Sequence, residues 1–261
     1  MLVVGASSGI GAAAAVMLAA RGYRVFGSSR DSAGGGAPGV TAVALDVTDD
    51  RSVQACAAEV LARAGQIDVL VYSAGFYAAG AVEEMSAELV QAQFDTYVIG
   101  VHRMVRAVLP HMRARRKGRL LFMSSSAAVA AIPFHAAYSA SKAALNHYAD
   151  ALRYEVEPFG IQVACVEGTG VQTGAARAVR MGEMPLDAYA VRRSAAVSAF
   201  RDTQSNGPPP TAIAQAIVGA IESRRLRPRY RVGFLAKMLP WLEALLPEPL
   251  FRRFFARFFG L

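Results

Sequence analysis

The sequence predicts a doubly wound α/β domain built on a parallel sheet, and three observations carry that expectation. Short apolar runs alternate with helical stretches along most of the chain. A glycine-rich turn, Gly5-Ala6-Ser7-Ser8-Gly9-Ile10-Gly11, separates the first apolar run from the first helical stretch. The 261 residues are 54% apolar, which suits a sheet covered on both faces. A chain of this length in one domain buries roughly three-quarters of its unfolded surface.

Taken in order, Leu2-Val3-Val4 is the first strand, and an Ala-rich helix follows at 10–20. Strands at 24–28 and 40–45 flank Ser32-Ala33-Gly34-Gly35-Gly36-Ala37-Pro38-Gly39, a flexible loop by composition. A helix at 49–64, a strand at 68–73, a long helical stretch at 86–116 and a strand at 119–124 continue the alternation. A helix at 138–157 and a strand at 162–167 follow. Residues 174–210 form the longest irregular piece, the kind of segment that often serves as a lid. Pro210-Thr211 starts a helix to 224, and 229–232 reads as the last strand. The chain thus divides into a catalytic domain at 1–233 and a C-terminal helical extension at 234–261. In that extension an apolar helix at 234–246 is stopped by Pro247 and Pro249. Phe251, Phe254, Phe255, Phe258 and Phe259 then fall at i, i+3, i+4, i+7 and i+8, an apolar stripe with Arg252, Arg253 and Arg257 off its face.

Composition bounds the setting. No stretch of 18 consecutive apolar residues predicts a membrane span. The chain opens on its first strand with no signal-peptide pattern, and Cys56 and Cys165 read as inert core thiols in a reduced compartment. These features predict a cytoplasmic protein. The net charge of +8 is concentrated beyond residue 223, where nine basic residues face two acidic ones. That tail must meet solvent, an anionic partner or a sister subunit's carboxylates. Nothing else resembles nucleic-acid recognition. The histidines lack metal-ligand spacing, and no metal is expected.

The chemistry is concentrated in Tyr138 and Lys142, which sit at i and i+4 and so share a helix face. A cation beside a phenol favours phenolate, which predicts a Tyr138 pKa below its usual value of about 10 and a general acid/base. A strand, glycine turn and helix N-terminus are the parts that cradle a pyrophosphate. About 20 residues past the glycines, where an acidic residue would read the ribose hydroxyls of NAD, stand Ser29 and Arg30. With no carboxylate to repel a 2′-phosphate and a guanidinium to pair with it, NADP is expected over NAD.

Gly5-x-x-x-Gly9-x-Gly11, Asp46-Val47, Ser73-Ala74-Gly75 and Tyr138-x-x-x-Lys142, with Ser125 thirteen residues before the tyrosine, follow one another at a shared spacing. In this the chain resembles the short-chain dehydrogenase/reductase family, from residue 1 to about 233. The resemblance implies a Rossmann fold and a catalytic Ser125, Tyr138 and Lys142. It implies cofactor contacts from Gly5, Ser7, Ser8, Gly9, Ile10, Gly11, Ser29, Arg30, Asp46, Val47, Ser73, Ala74, Gly75, Tyr138, Lys142, Thr169, Val171 and Thr173. Ser125, His135 and Tyr138 are the expected substrate contacts, His135 because it lies three residues before Tyr138. The resemblance also implies a homodimer or homotetramer.

Four positions depart from the family pattern. Val4 stands for the usual Thr, Tyr72-Ser73 for Asn-Asn, and Gly168-Thr169 for Pro-Gly. Tyr97 takes the place of the helix Asn that, in the family, helps hold a water linking the lysine to solvent. The leading expectation is an NADP-dependent oxidoreductase interconverting a ketone and a secondary alcohol on a hydrophobic small molecule. The alternative is a catalytically impaired NADPH-binding sensor or scaffold. For the phenylalanine stripe three readings stand: packing on its own domain or a sister subunit, capping of a substrate channel, or weak contact with a membrane surface. Packing is the default.

Overall fold

Seven of the apolar runs pair, all parallel, in the computed structural model, which describes residues 1–31, 36–174 and 178–261. In chain order the elements are β1 (Leu2–Val4), α1 (Gly9–Ala20), β2 (Val25–Ser29), β3 (Val40–Ala44), α2 (Asp50–Ala64), β4 (Val69–Tyr72) and β5 (Ala78–Ala79). Then come α3 (Ala87–Phe94), a π-helical turn (Asp95–Ile99), α4 (Gly100–Ala114), β6 (Gly118–Ser125), α5 (Ala136–Val156) and β7 (Ile161–Gly168). The chain closes with β8 (Arg180–Met181), α6 (Ala190–Ser205), α7 (Pro210–Glu222), β9 (Arg229–Val232), α8 (Phe234–Leu245) and α9 (Glu248–Phe258). The strand order β3-β2-β1-β4-β6-β7-β9 reverses direction between β1 and β4, and in such sheets ligands bind at the carboxyl ends of the strands beside that switch.

Alternation along each strand builds two cores. Leu2, Val4, Phe26, Leu70, Leu120 and Phe122 point to one face, under α2, α4 and α5. Val3, Val25, Val71, Leu121 and Val166 point to the other, under α1 and α7, where Leu18, Ile213 and Ile217 meet them. Each fully buried Val, Leu or Phe contributes about 1.5–3 kcal/mol against the entropy of ordering the chain. Cys56 and Cys165 are buried in the first of these cores, and burial pushes both thiols up to about 12, consistent with inert packing residues.

The sequence expectation for the strands holds, with ends shifted by a residue or so. Two segments differ. The stretch 174–210 is not mainly irregular: it holds α6, sixteen residues long, and β8, which pairs with β5. The missed signal was the Ala- and Arg-rich composition of 190–201, which favours helix without a strong apolar stripe. The stretch 86–116 is two α-helices joined through a π-helical turn. Of the expected loop at 32–39, residues 32–35 lie outside the described residues. No helix among the described residues is long and apolar enough to cross a membrane.

Candidate active site

A groove of about 530 Å³ runs along the carboxyl ends of the central strands. Its floor is the turn between β1 and α1, where geometry demands glycine. Gly5 has φ +80°, and a Cβ there would meet the Ala74 backbone N at 2.7 Å. At Gly11 a Cβ would lie 2.2 Å from the Gly5 carbonyl oxygen, so the helix could not pack against its own turn. The N-terminus of α1 therefore opens on the groove with its free N–H groups and positive dipole end.

Around that turn the groove is lined by Ser7, Ser8, Gly9, Ile10, Ser29 and Arg30, by Asp46 and Val47, by Ser73, Ala74 and Gly75, and by Thr173, Tyr138 and Lys142. Asp46 is fixed as an acceptor: its Oδ1 receives the Thr48 hydroxyl at 2.7 Å and backbone N–H at 2.9 Å, and these bonds hold its pKa below the ordinary value. Gly11, Thr169 and Val171 were expected to touch a cofactor but do not line the groove. Gly11 serves the packing of the turn, Val171 is buried beside Gln204, and Thr169 belongs to a second cavity. The groove fits an extended dinucleotide on structural grounds. It has a close-approach glycine floor and a helix N-terminus, and Ser124 on its wall carries a buried hydroxyl with no protein partner.

At the inner end of the groove α5 delivers Tyr138 and Lys142 one turn apart, and β6 brings Ser125 beside Tyr138 without lining the groove. The three are buried. Ser125 Oγ accepts the Ala127 N–H at 3.1 Å, and its side chain shares a hydrogen bond with the Tyr138 hydroxyl. The neighbouring serines of α5 are structural, since Ser139 Oγ accepts the Ile132 N–H and Ser141 Oγ donates to the Tyr138 carbonyl. Lys142 Nζ donates to the Met123 carbonyl at 2.7 Å.

The electrostatics correct one expectation. Burial pushes the Tyr138 phenol well above its usual range, with nearby Tyr77 and Tyr97 adding to the rise and the Ser125 hydrogen bond opposing it. Desolvation also lowers Lys142 to about 7. Burial therefore outweighs the neighbouring amine, and the phenol is raised where the spacing with Lys142 had predicted it lowered.

Two further side chains complete the site, and no family motif or spacing marked them. Tyr77 packs edge-on against Tyr138 at 4.9 Å, and its hydroxyl shares hydrogen bonds with Tyr138 and Gln204. Gln204 Oε1 accepts the Val171 N–H at 3.0 Å, which ties α6 to the segment after β7. His135 is a correction of the opposite kind. It is fully buried, packs against Phe200 at 4.3 Å, engages the Pro133 carbonyl through Nδ1, and lines neither cavity.

The second cavity meets the groove at Tyr138 and is also lined by Ser125. Ala130, Ile132, Phe200, Leu235, Leu239 and four tail phenylalanines wall it: Phe254, Phe255, Phe258 and Phe259. The stripe read from the sequence therefore packs on its own domain and walls a cavity at Ser125 and Tyr138. Phe259 is almost fully buried, and Phe255 stacks between Phe251 and Phe258.

The sequence model of the short chain dehydrogenase family matches residues 1–183. The chain belongs to the short-chain dehydrogenase/reductase family. A 3-ketodihydrosphingosine reductase of Bacteroides thetaiotaomicron is 33% identical over 98% of this chain and 97% of its own. Retinol dehydrogenase 8 of Bos taurus is 33% identical over 95% and 86%. A crystal structure of a short-chain dehydrogenase from Streptomyces avermitilis superposes with a TM-score of 0.83 at 34% identity, covering 92% of this chain and 90% of that one.

This short-chain dehydrogenase is therefore an NAD(P)-dependent oxidoreductase acting on CH–OH or carbonyl groups. Its most consequential departure is Tyr97, held by the π-helical turn, a geometry that often marks functional sites. The Tyr97 hydroxyl donates to the Phe76 carbonyl at 2.8 Å. Its ring lies 3.7 Å from Lys142 Nζ, so the amine stacks on an aromatic face while it donates to the Met123 carbonyl. The ring also abuts Gly75, where a Cβ would come within 2.3 Å of it.

Proposed function

We propose that this enzyme is an NADPH-dependent reductase of hydrophobic ketones, interconverting them with secondary alcohols. The observation that carries the reading is Tyr138, which lines both the dinucleotide groove and an aromatic-walled cavity that Ser125 also lines. A carbonyl in that cavity reaches both hydroxyls while its apolar body stays out of water. The relatives named above for a ketosphingosine and for retinol support a lipid-like substrate.

When bound, the dinucleotide supplies a hydride to the carbonyl carbon, or takes one from it in reverse. Ser125 donates a hydrogen bond to the carbonyl oxygen and stabilises charge as it develops. Tyr138, protonated because it is buried, gives its proton to that oxygen, and Tyr77 holds the phenol in line. Lys142 lies one helical turn from Tyr138 on the groove wall and would hold the nicotinamide ribose of a bound dinucleotide. Direct turnover measurements with NADPH and a panel of long-chain and short ketones test the reading. Preference for the long-chain members supports it, and preference for small polar carbonyls overturns the substrate class.

Cofactor preference rests on Ser29 and Arg30, both on the groove wall. Arg30 is exposed, so the low end of the charge-assisted range applies, about 1.5 kcal/mol. NADPH is expected to bind about tenfold tighter than NADH. Ser29→Asp reverses the order by repelling the 2′-phosphate. Fluorescence titration of both cofactors against both proteins checks this; equal affinities in the unaltered enzyme refute it.

One observation favours a second reading, a cofactor-binding protein with impaired turnover: the Tyr97 ring fills the place beside Lys142. If the ring blocks proton return to the lysine, Tyr97→Asn raises kcat severalfold with NADPH affinity unchanged. If the site works through Tyr138 and Tyr77 instead, Tyr97→Asn is neutral and Tyr77→Phe slows turnover. Absence of turnover in all three proteins with NADPH bound establishes the sensor reading.

A further inference from the structure

The two C-terminal helices turn an apolar surface outward as well as inward. Fourteen large apolar side chains are exposed among the described residues, and six of them fall between 234 and 258. On α8 these are Phe234, Trp241 and Leu245, at i, i+7 and i+11, each at least 70% exposed, while Ala236 and Leu239 on the opposite face are buried. On α9 they are Leu250, Phe254 and Phe258, at i, i+4 and i+8, on the edge beside the packed row Phe251, Phe255 and Phe259. A monomer seldom leaves such a cluster in water without a partner.

Charge selects the partner. By helical spacing Lys237 flanks the exposed row of α8, and Arg253 and Arg257 flank that of α9. Among the described residues none of the three has a carboxylate within 4 Å, whereas Arg252, off that edge, pairs with Glu248 at 3.6 Å. Glu243 lies on the other side of α8 from the exposed row. A second copy of the chain fits poorly, because a two-fold interface would bring two patches of the same positive sign together. An anionic bilayer surface satisfies both properties, taking the aromatic and aliphatic rows into its apolar boundary and the cations among its phosphates.

We propose that α8 and α9 dock the enzyme on anionic lipid surfaces. Phe254 and Phe258 belong both to this surface and to the wall of the cavity at Ser125 and Tyr138. Under the proposed function, a ketone dissolved in the bilayer then reaches the site without crossing water. The docking itself rests on the exposed rows and their charges, independently of substrate.

Trp241 is the chain's single tryptophan, so the protein reports its own docking. The full chain is titrated with vesicles of equal phosphatidylglycerol and phosphatidylcholine, and with vesicles of phosphatidylcholine alone. Trp241 emission and co-sedimentation are both followed. The expected result is a blue shift and co-sedimentation with the anionic vesicles, weakening as salt is raised. Combined Lys237→Gln, Arg253→Gln and Arg257→Gln lowers partitioning by about tenfold or more, and Leu245→Ser weakens it separately. NADPH-dependent reduction of a water-soluble ketone by both variants is measured in parallel and stays unchanged. Loss of that activity alone bears on the proposed function and not on docking. Three outcomes overturn the proposal: no co-sedimentation, equal binding to phosphatidylcholine with no effect of the glutamines, or a blue shift that tracks protein concentration without lipid.

Discussion

Tyr138→Phe is expected to lower kcat by roughly 10²–10⁴-fold while NADPH affinity stays nearly constant. The substitution removes one hydroxyl and keeps the ring that packs edge-on against Tyr77 and Tyr97 at 4.9 and 5.8 Å, so the site keeps its shape. What disappears is the acid itself. Burial holds the phenol protonated at neutral pH, and the phenylalanine ring offers no proton in its place. Stopped-flow single turnover beside a cofactor titration separates chemistry from binding. Normal turnover in the phenylalanine variant would sink the mechanism.

Lys142→Met is expected to lose turnover and gain stability together. Desolvation lowers the lysine from 10.5 to about 7 in the fold. Between those two values the unfolded chain binds a proton that the folded chain does not, so stability rises with pH across that window. Below about pH 7 both states are protonated and the burial penalty is present in full. Methionine removes the penalty but leaves the Met123 carbonyl without its 2.7 Å donor, a cost of about 1–3 kcal/mol against a relief of several. The variant should therefore melt several degrees higher at pH 6, with the difference shrinking toward pH 10. A difference that grows with pH would mean that the lysine is buried as a satisfied cation.

The order of the strands' apolar runs was legible because each run is short, apolar and bounded by polar or glycine turns. The glycine floor was legible for a steric reason, since only glycine escapes the 2.2 and 2.7 Å approaches at positions 11 and 5. Ser125, Tyr138 and Lys142 could be read because helical spacing and strand ends bring them together. Tyr77 and Gln204 could not. Their meeting joins the segment after β4 to a helix about 127 residues later, and no local pattern encodes that contact. His135 misled for the reverse reason: closeness in sequence to Tyr138 says nothing about the direction of a side chain that the Pro133 carbonyl turns inward. The raised phenol pKa escaped too, because spacing reports a neighbouring cation but not the depth at which both groups are buried.

The fit of the Tyr97 ring over Gly75 also sets an order on mutational history. Alanine at 75 and tyrosine at 97 exclude each other sterically, because a Cβ at 75 would sit 2.3 Å from the ring. The pair is epistatic. In a deep mutational scan of this chain, position 75 would read as immutable for folding. In a Tyr97→Asn background the same scan would relax there. A lineage that gained Tyr97 could do so only while glycine stood at 75, and it can leave that state only by giving up the tyrosine first.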